Sequence, residues 1–159
     1  MKGARVPKTN KTNRKAGRGR APKSLATYLD QIRDDPAEFR TVSRTVNPMN
    51  FDVTGLLGVL NQRREYPTVQ FDKPLDMRGK PSKFPIVTNL WGTRERCAEM
   101  VGLKRSEAGV QLGSRLCERI DRKQKPVVIP GRVAPVQQNV LTGKQADLWM
   151  FPVVRHFEM

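Results

Sequence analysis

Phe84-Pro85-Ile86-Val87-Thr88-Asn89-Leu90-Trp91-Gly92-Thr93-Arg94-Glu95-Arg96-Cys97-Ala98-Glu99-Met100-Val101-Gly102-Leu103 holds a strand, a tight turn, a helix start and a helix stop in succession. Phe84 to Val87 is a short apolar run with β-branched residues, led in by Pro81 and Ser82, which suits a buried strand. Asn89 to Gly92 forms its exit. Thr93 is an N-cap whose hydroxyl can accept from an otherwise unpaired N–H of the first turn. Cys97, Met100 and Val101 then recur at helical spacing, and Gly102 followed by Leu103 has the form of a left-handed C-cap. Arg94, Glu95 and Arg96 read as a solvated face of that helix.

The flanking chain repeats this alternation. Ser24 caps a helix with Leu25, Tyr28, Leu29 and Ile32 along one stripe, ending near Asp34-Asp35-Pro36. Phe39 to Val46 alternates as a strand with one partly exposed face, and Pro48 closes it. A helix from Asp52 to Arg63 carries Val53, Leu56, Leu57 and Leu60 on one side, where Gly55 and Gly58 either permit close packing or weaken it. Thr68 to Phe71 is the next strand, and Asp72 to Lys83 a surface loop marked by Pro74, Gly79 and Pro81. Beyond the opening stretch, Ser106 begins a helix with Gly109, Leu112, Leu116 and Ile120 on one side and a basic stop from Arg119 to Lys125. Pro126 to Ile129 is a strand candidate, and Val136 to Leu141 pairs with Trp149 to Val154 across Thr142-Gly143. The pattern is α/β, a mixed sheet covered by helices, over residues 24–130.

Composition narrows the function. The chain has 159 residues, enough for one domain of ordinary size, and a net charge of +15. Lys2, Arg5, Lys8, Lys11, Arg14, Lys15, Arg18, Arg20 and Lys23 supply nine of those charges with no acid among them, leaving +6 for the remainder. Residues 1–23 thus read as a disordered basic tail. Such an arm could bind nucleic acid through phosphates, but it lacks the aromatic interleaving that base stacking uses, so a solvated start region is the preferred reading. Cys97 and Cys117 are the two cysteines, and each sits among apolar neighbours as a buried free thiol. With no signal-peptide core before Ser24, a reducing cytoplasm is the simpler setting. No apolar run approaches the ~18 residues of a membrane span.

Reactive groups are sparse. Gly92-Thr93-Arg94 lies where a phosphate could meet a helix N-terminus, yet neither G-x-G-x-x-G nor G-x-x-x-x-G-K-[ST] is present, and turn geometry explains the glycine. His156 is the single imidazole and has neighbours of a core edge, Val154 and Phe157. Asp147 and Glu158 have no pattern between them that would make a carboxylate pair. One His and two Cys make a structural zinc site improbable. The sequence therefore assigns no catalytic, cofactor-binding or metal-ligating residue.

A family resemblance adds what these residues do not. Val87-Thr88-Asn89-Leu90-Trp91-Gly92-Thr93-Arg94-Glu95-Arg96 followed by Val101-Gly102 resembles the V-x-N-L-[FW]-G-[ST]-R-E-R … G signature in the N-terminal domain of the UbiD family of decarboxylases. Phe39 to Pro48 is similar to the family's strand leading into E-V-D-P, and Tyr66 to Asp72 to its P-A-L-L-F-E strand. Val140-Leu141-Thr142-Gly143 through Asp147-Leu148 to Phe151-Pro152 resembles its V-L-x-G-x-x-x-D-L-x-x-[LF]-P segment. The resemblance implies a carboxy-lyase acting on aromatic or α,β-unsaturated acids with prenylated FMN, a divalent metal (Mn2+ or Mg2+) and K+, in a homo-oligomer. It also implies that residues 131–159 enter a split β-barrel of which this chain holds only the start. The family's Glu-Arg-Glu acid/base set and its Asn, His and Glu metal ligands lie downstream of the matched part, so none transfers. Other readings are a non-catalytic scaffold or regulatory homologue, or a nucleic-acid module built on the tail. Trp149 to Phe157 is expected to be sticky without the rest of the barrel, with truncation near Gly131 improving solubility.

Overall fold

A computed structural model describes residues 24–120 and 125–158. The basic tail, residues 1–23, lies outside them. Three strands form a mixed sheet in the order β1 (Phe39–Val46), β2 (Thr68–Pro74), β3 (Ile86–Thr88). The pairing of β1 with β2 is parallel, Phe39 opposite Thr68 and Val42 opposite Phe71, with an irregularity between Val42 and Thr45. β3 is antiparallel to β2, with Ile86 opposite Phe71. A parallel pair needs a crossover, and helix α2 (Asp52–Gln62) supplies it.

Period-two alternation assigns the two faces. Val46, Val69, Phe71 and Ile86 point to one side, where α2 buries Val53 and Leu60 against them. Phe39 points to the other, against Leu29 and Ile32 of helix α1 (Leu25–Ile32), with Tyr28, Val87 and Leu90 around them. α1 starts as expected: Ser24 Oγ accepts from Thr27 N at 3.2 Å, and Thr27 Oγ1 accepts from Ser24 N at 3.0 Å. Before α2, Asn47 N donates to Asp52 Oδ2 at 2.7 Å, and Phe51 takes a left-handed φ of 62° to turn into the helix. Gly55 and Gly58 face open space, so the close-packing alternative for them falls away.

Several expected boundaries move. The third strand is Ile86–Thr88, and Phe84 is exposed and lies before it because its ring packs on Phe151. β2 runs on to Pro74, since Thr45 and Val46 continue to pair with Lys73 and Pro74. The loop beyond it is tied by Asp76, whose Oδ1 accepts from Arg78 N and Lys80 N at 2.9 and 2.8 Å around Gly79 at φ 74°. Helix α3 is Arg94–Met100, followed by Gly102 at φ 77°. The helix expected from Ser106 begins later: Arg105–Glu107 is a single 3-10 turn, and α4 spans Leu112–Ile120, so Gly109 lies outside it. α4 buries no side chain, and its Cys117 is exposed while Cys97 is half-buried, which corrects the expectation of two buried thiols.

Among the described residues no strand follows Thr88. Pro126 to Ile129 is exposed and forms no strand. Val136 to Leu141 and Trp149 to Val154 do not pair: Pro135–Gln137 and Leu148–Met150 are 3-10 turns, the second capped by Asp147, whose side chain accepts from Trp149 N. Asp147 is instead tied to Arg78 in the loop after β2, and Trp149 O accepts from Met77 N there.

Candidate functional site

The opening stretch builds its polar centre around Arg96, the largest fully buried side chain among the described residues at 1% exposure. This corrects the solvated face expected for Arg94, Glu95 and Arg96; the first two are exposed and the third is not. Each preceding residue helps aim it. Asn89 adopts a left-handed φ of 59° and donates from Nδ2 to Pro67 O at 2.8 Å, and Gly92 N closes the turn on Asn89 O at 3.2 Å. Thr93 caps α3 by accepting from Arg96 N at 3.3 Å. A Cβ on Gly92 would lie 2.6 Å from both Arg96 Nη2 and Asn89 Oδ1. The glycine makes room for these two side chains, and the space a phosphate would need is already filled.

The guanidinium then reaches across to β2. Nη1 donates to Thr68 Oγ1 at 2.8 Å and Nη2 donates to Tyr66 O. Nε lies 3.8 Å from Glu38 Oε2, a purely electrostatic contact beyond hydrogen-bond reach. Glu38 also pairs with Arg105, and Arg105 Nη1 lies 3.5 Å from Glu99. Tyr28 points its hydroxyl into this cluster without a hydrogen-bond partner, and burial pushes its pKa up against the opposing pull of Arg96. The motif thus fastens the start of β2, the end of α1's connection and α3 to one another.

A cleft of about 310 Å3 opens beside Arg96, lined by Glu38, Arg40, Glu65, Tyr66 and Thr93 among others. Arg40 Nη1 lies 2.5 Å from Glu65 Oε2, and Arg64 adds a third cation to the lining beside Arg40 and Arg96. The remaining sequence candidates do not converge on it. His156 is exposed, with its ring 6.4 Å from that of Phe157. Asp147 is held by Arg78 through hydrogen bonds of 2.5 and 3.0 Å, and Glu158 is exposed. No group of three or more His, Cys, Asp or Glu residues suited to a metal occurs among the described residues. The residues present do not fit a flavin phosphate or its metals: the buried cation is committed to Tyr66, Thr68 and Glu38, and the glycine turn is occupied by its own neighbours.

The family model for the 3-octaprenyl-4-hydroxybenzoate carboxy-lyase N-terminal domain matches residues 32–116. The chain belongs to the UbiD family. The match spans β1, α2, β2, β3 and α3, and so includes the whole sheet and the Arg96 cluster. No curated protein matches the chain. The V-x-N-L-[FW]-G-[ST]-R-E-R segment of this UbiD domain is, in the geometry above, a packing device. Sequence reasoning found the motif but missed the burial of its second arginine. The available signal was the position of Arg96 four residues before Met100, one helical turn along the stripe that Met100 belongs to.

Proposed function

We propose that this chain is the N-terminal part of a UbiD-like carboxy-lyase that adds or removes carbon dioxide on an aromatic or α,β-unsaturated acid with prenylated FMN, and that the chain alone is inactive. The observation that carries this reading is the family match over residues 32–116, whose description is that of a carboxy-lyase domain. The commitment of Arg96 to the protein's own backbone and side chains supports a supporting role for residues 24–130. Residues 131–159 lead toward the barrel that would hold the cofactor with Mn2+ or Mg2+ and K+, and the catalytic residues belong there. The enzyme works in the cytoplasm as a homo-oligomer on this reading. The apolar side chains that α4 leaves uncovered, Leu116 and Ile120, support a packing role. Among the described residues no helix is long and apolar enough to cross a membrane.

The test is expression of the complete reading frame with a source of prenylated FMN, Mn2+ and K+, followed by carbon dioxide release or uptake on a panel of aromatic and unsaturated acids. Turnover by the complete protein is expected. A reading frame that stops at Met159, with no turnover on any acid, would sink the proposal in favour of a scaffold.

A further inference from the structure

Residues 125–146 are exposed apart from half-buried Ala134, and the backbone hydrogen bonds found there close local turns. At Asp147 the chain returns to the domain. Asp147 takes both hydrogen bonds of Arg78, and Met77 N donates to Trp149 O at 3.2 Å. Ser82 Oγ donates to Met150 O at 3.4 Å, and the rings of Phe84 and Phe151 lie 4.8 Å apart. Val154 packs on the core side of the sheet that α2 covers. Arg155 N donates to Pro48 O at 3.1 Å, Thr54 Oγ1 donates to Arg155 O at 3.3 Å, and the Arg155 guanidinium sits 5.0 Å over the Phe51 ring. Two anchors thus flank an apolar seat, one on the loop after β2 and one at the start of α2.

We propose that residues 147–155 form an intrachain strap, locked by the Arg78–Asp147 pair and seated through Phe151 and Val154, which closes over the domain and opens as one unit on the tether 125–146. This inference does not depend on the enzymatic reading. A bidentate charged pair sets the register of the strap, because the planar fork of Arg78 meets both carboxylate oxygens in one orientation. The apolar seat supplies the burial, and the short span between anchors makes their release cooperative.

Hydrogen exchange on the full chain tests it. The amides of Met77 and Arg155 should exchange at least about tenfold more slowly than those of 125–146, as expected for a closed local unit. Arg78→Glu should raise exchange at both amides together while leaving Val69 and Phe71 in β2 protected, and Arg78→Asp with Asp147→Arg, which keeps a guanidinium fork opposite a carboxylate, should restore both in part. The proposal is overturned if Met77 and Arg155 exchange at tether rates in the unaltered chain. It is equally overturned if Arg78→Glu releases one amide without the other, if β2 loses protection with them, or if the charge-reversed double variant restores nothing.

Discussion

Arg96 on α3 and Thr68 at the start of β2, twenty-eight residues apart, are joined by a 2.8 Å hydrogen bond between two side chains that water barely reaches. The bond ties the helix of the signature segment to the middle strand of the sheet. A buried cation that loses its partners, or partners that lose their cation, are both costly, so the pair holds the turn from Asn89 to Thr93 in one geometry.

Removing Arg96 leaves Tyr66 O, Thr68 Oγ1 and the Glu38 carboxylate without it. Arg96→Met is expected to cost about 3 kcal/mol in urea unfolding. Arg96→Lys should recover little, because a single ammonium cannot reproduce a fork that serves two acceptors. Exposed Arg94→Ala should stay within about 0.5 kcal/mol. Equal losses for Arg94 and Arg96 would count against the clamp.

Glycines separate by what surrounds them. Gly92→Ala places a methyl 2.6 Å from a buried guanidinium and from Asn89, neither free to move, and should cost about 2 kcal/mol. Gly58→Ala, in the exposed face of α2 with nothing within 4 Å, should stabilise by about 1 kcal/mol. Thermal or urea unfolding of the two variants gives opposite signs on this account.

Much of the fold was legible in the sequence, and the failures share a cause. The α/β alternation, Ser24 and Thr93 as caps, and the stripe of α2 are local signals, and they appear where expected. The strands proposed after residue 125 failed because apolar runs alone do not supply a partner, and Asp147 is drawn to Arg78, 69 residues away. The same long-range pull hid Arg96: helical spacing places it on the sheet side, yet charge argues for solvent until Tyr66 and Thr68 are known to lie opposite. The polar groups around Arg96 are held mainly by Tyr66 and Thr68, while the Tyr28 hydroxyl beside them has no hydrogen-bond partner, a juxtaposition that no local pattern in the sequence announces.

Truncation at Gly131 is expected to lower stability, against the gain in solubility that the apolar composition of Trp149 to Phe157 suggests. It would remove Val154 from the core face and Arg155 from Pro48 and Phe51. A fall in Tm of several degrees corresponds to a loss of about 1 kcal/mol in a domain of this size. An unchanged or raised Tm would contradict the docked strap.

Acid should loosen the strap. Hydrogen bonds from Arg78, aided by the Trp149 N–H, hold the Asp147 carboxyl below its ordinary value of 3.8. A depressed folded-state pKa contributes stability that is complete above the unfolded value and is lost as pH falls through the folded one. Protection of the Met77 amide, corrected for intrinsic exchange, should therefore hold steady from pH 7 to about 5 and decline below about 4. Asp147→Asn should lack that acid step, and an identical decline in the variant would remove Asp147 as its source.

The most direct measurement for the central claim is carbon dioxide release by the purified 159-residue chain, supplied with prenylated FMN, Mn2+ and K+, set beside the complete protein on the same aromatic and unsaturated acids. With Arg96 committed inward and no metal set among the described residues, the chain should give background release and carry no flavin absorbance, while the complete protein turns over. Release above background by the 159-residue chain, or flavin co-purifying with it, would contradict the account.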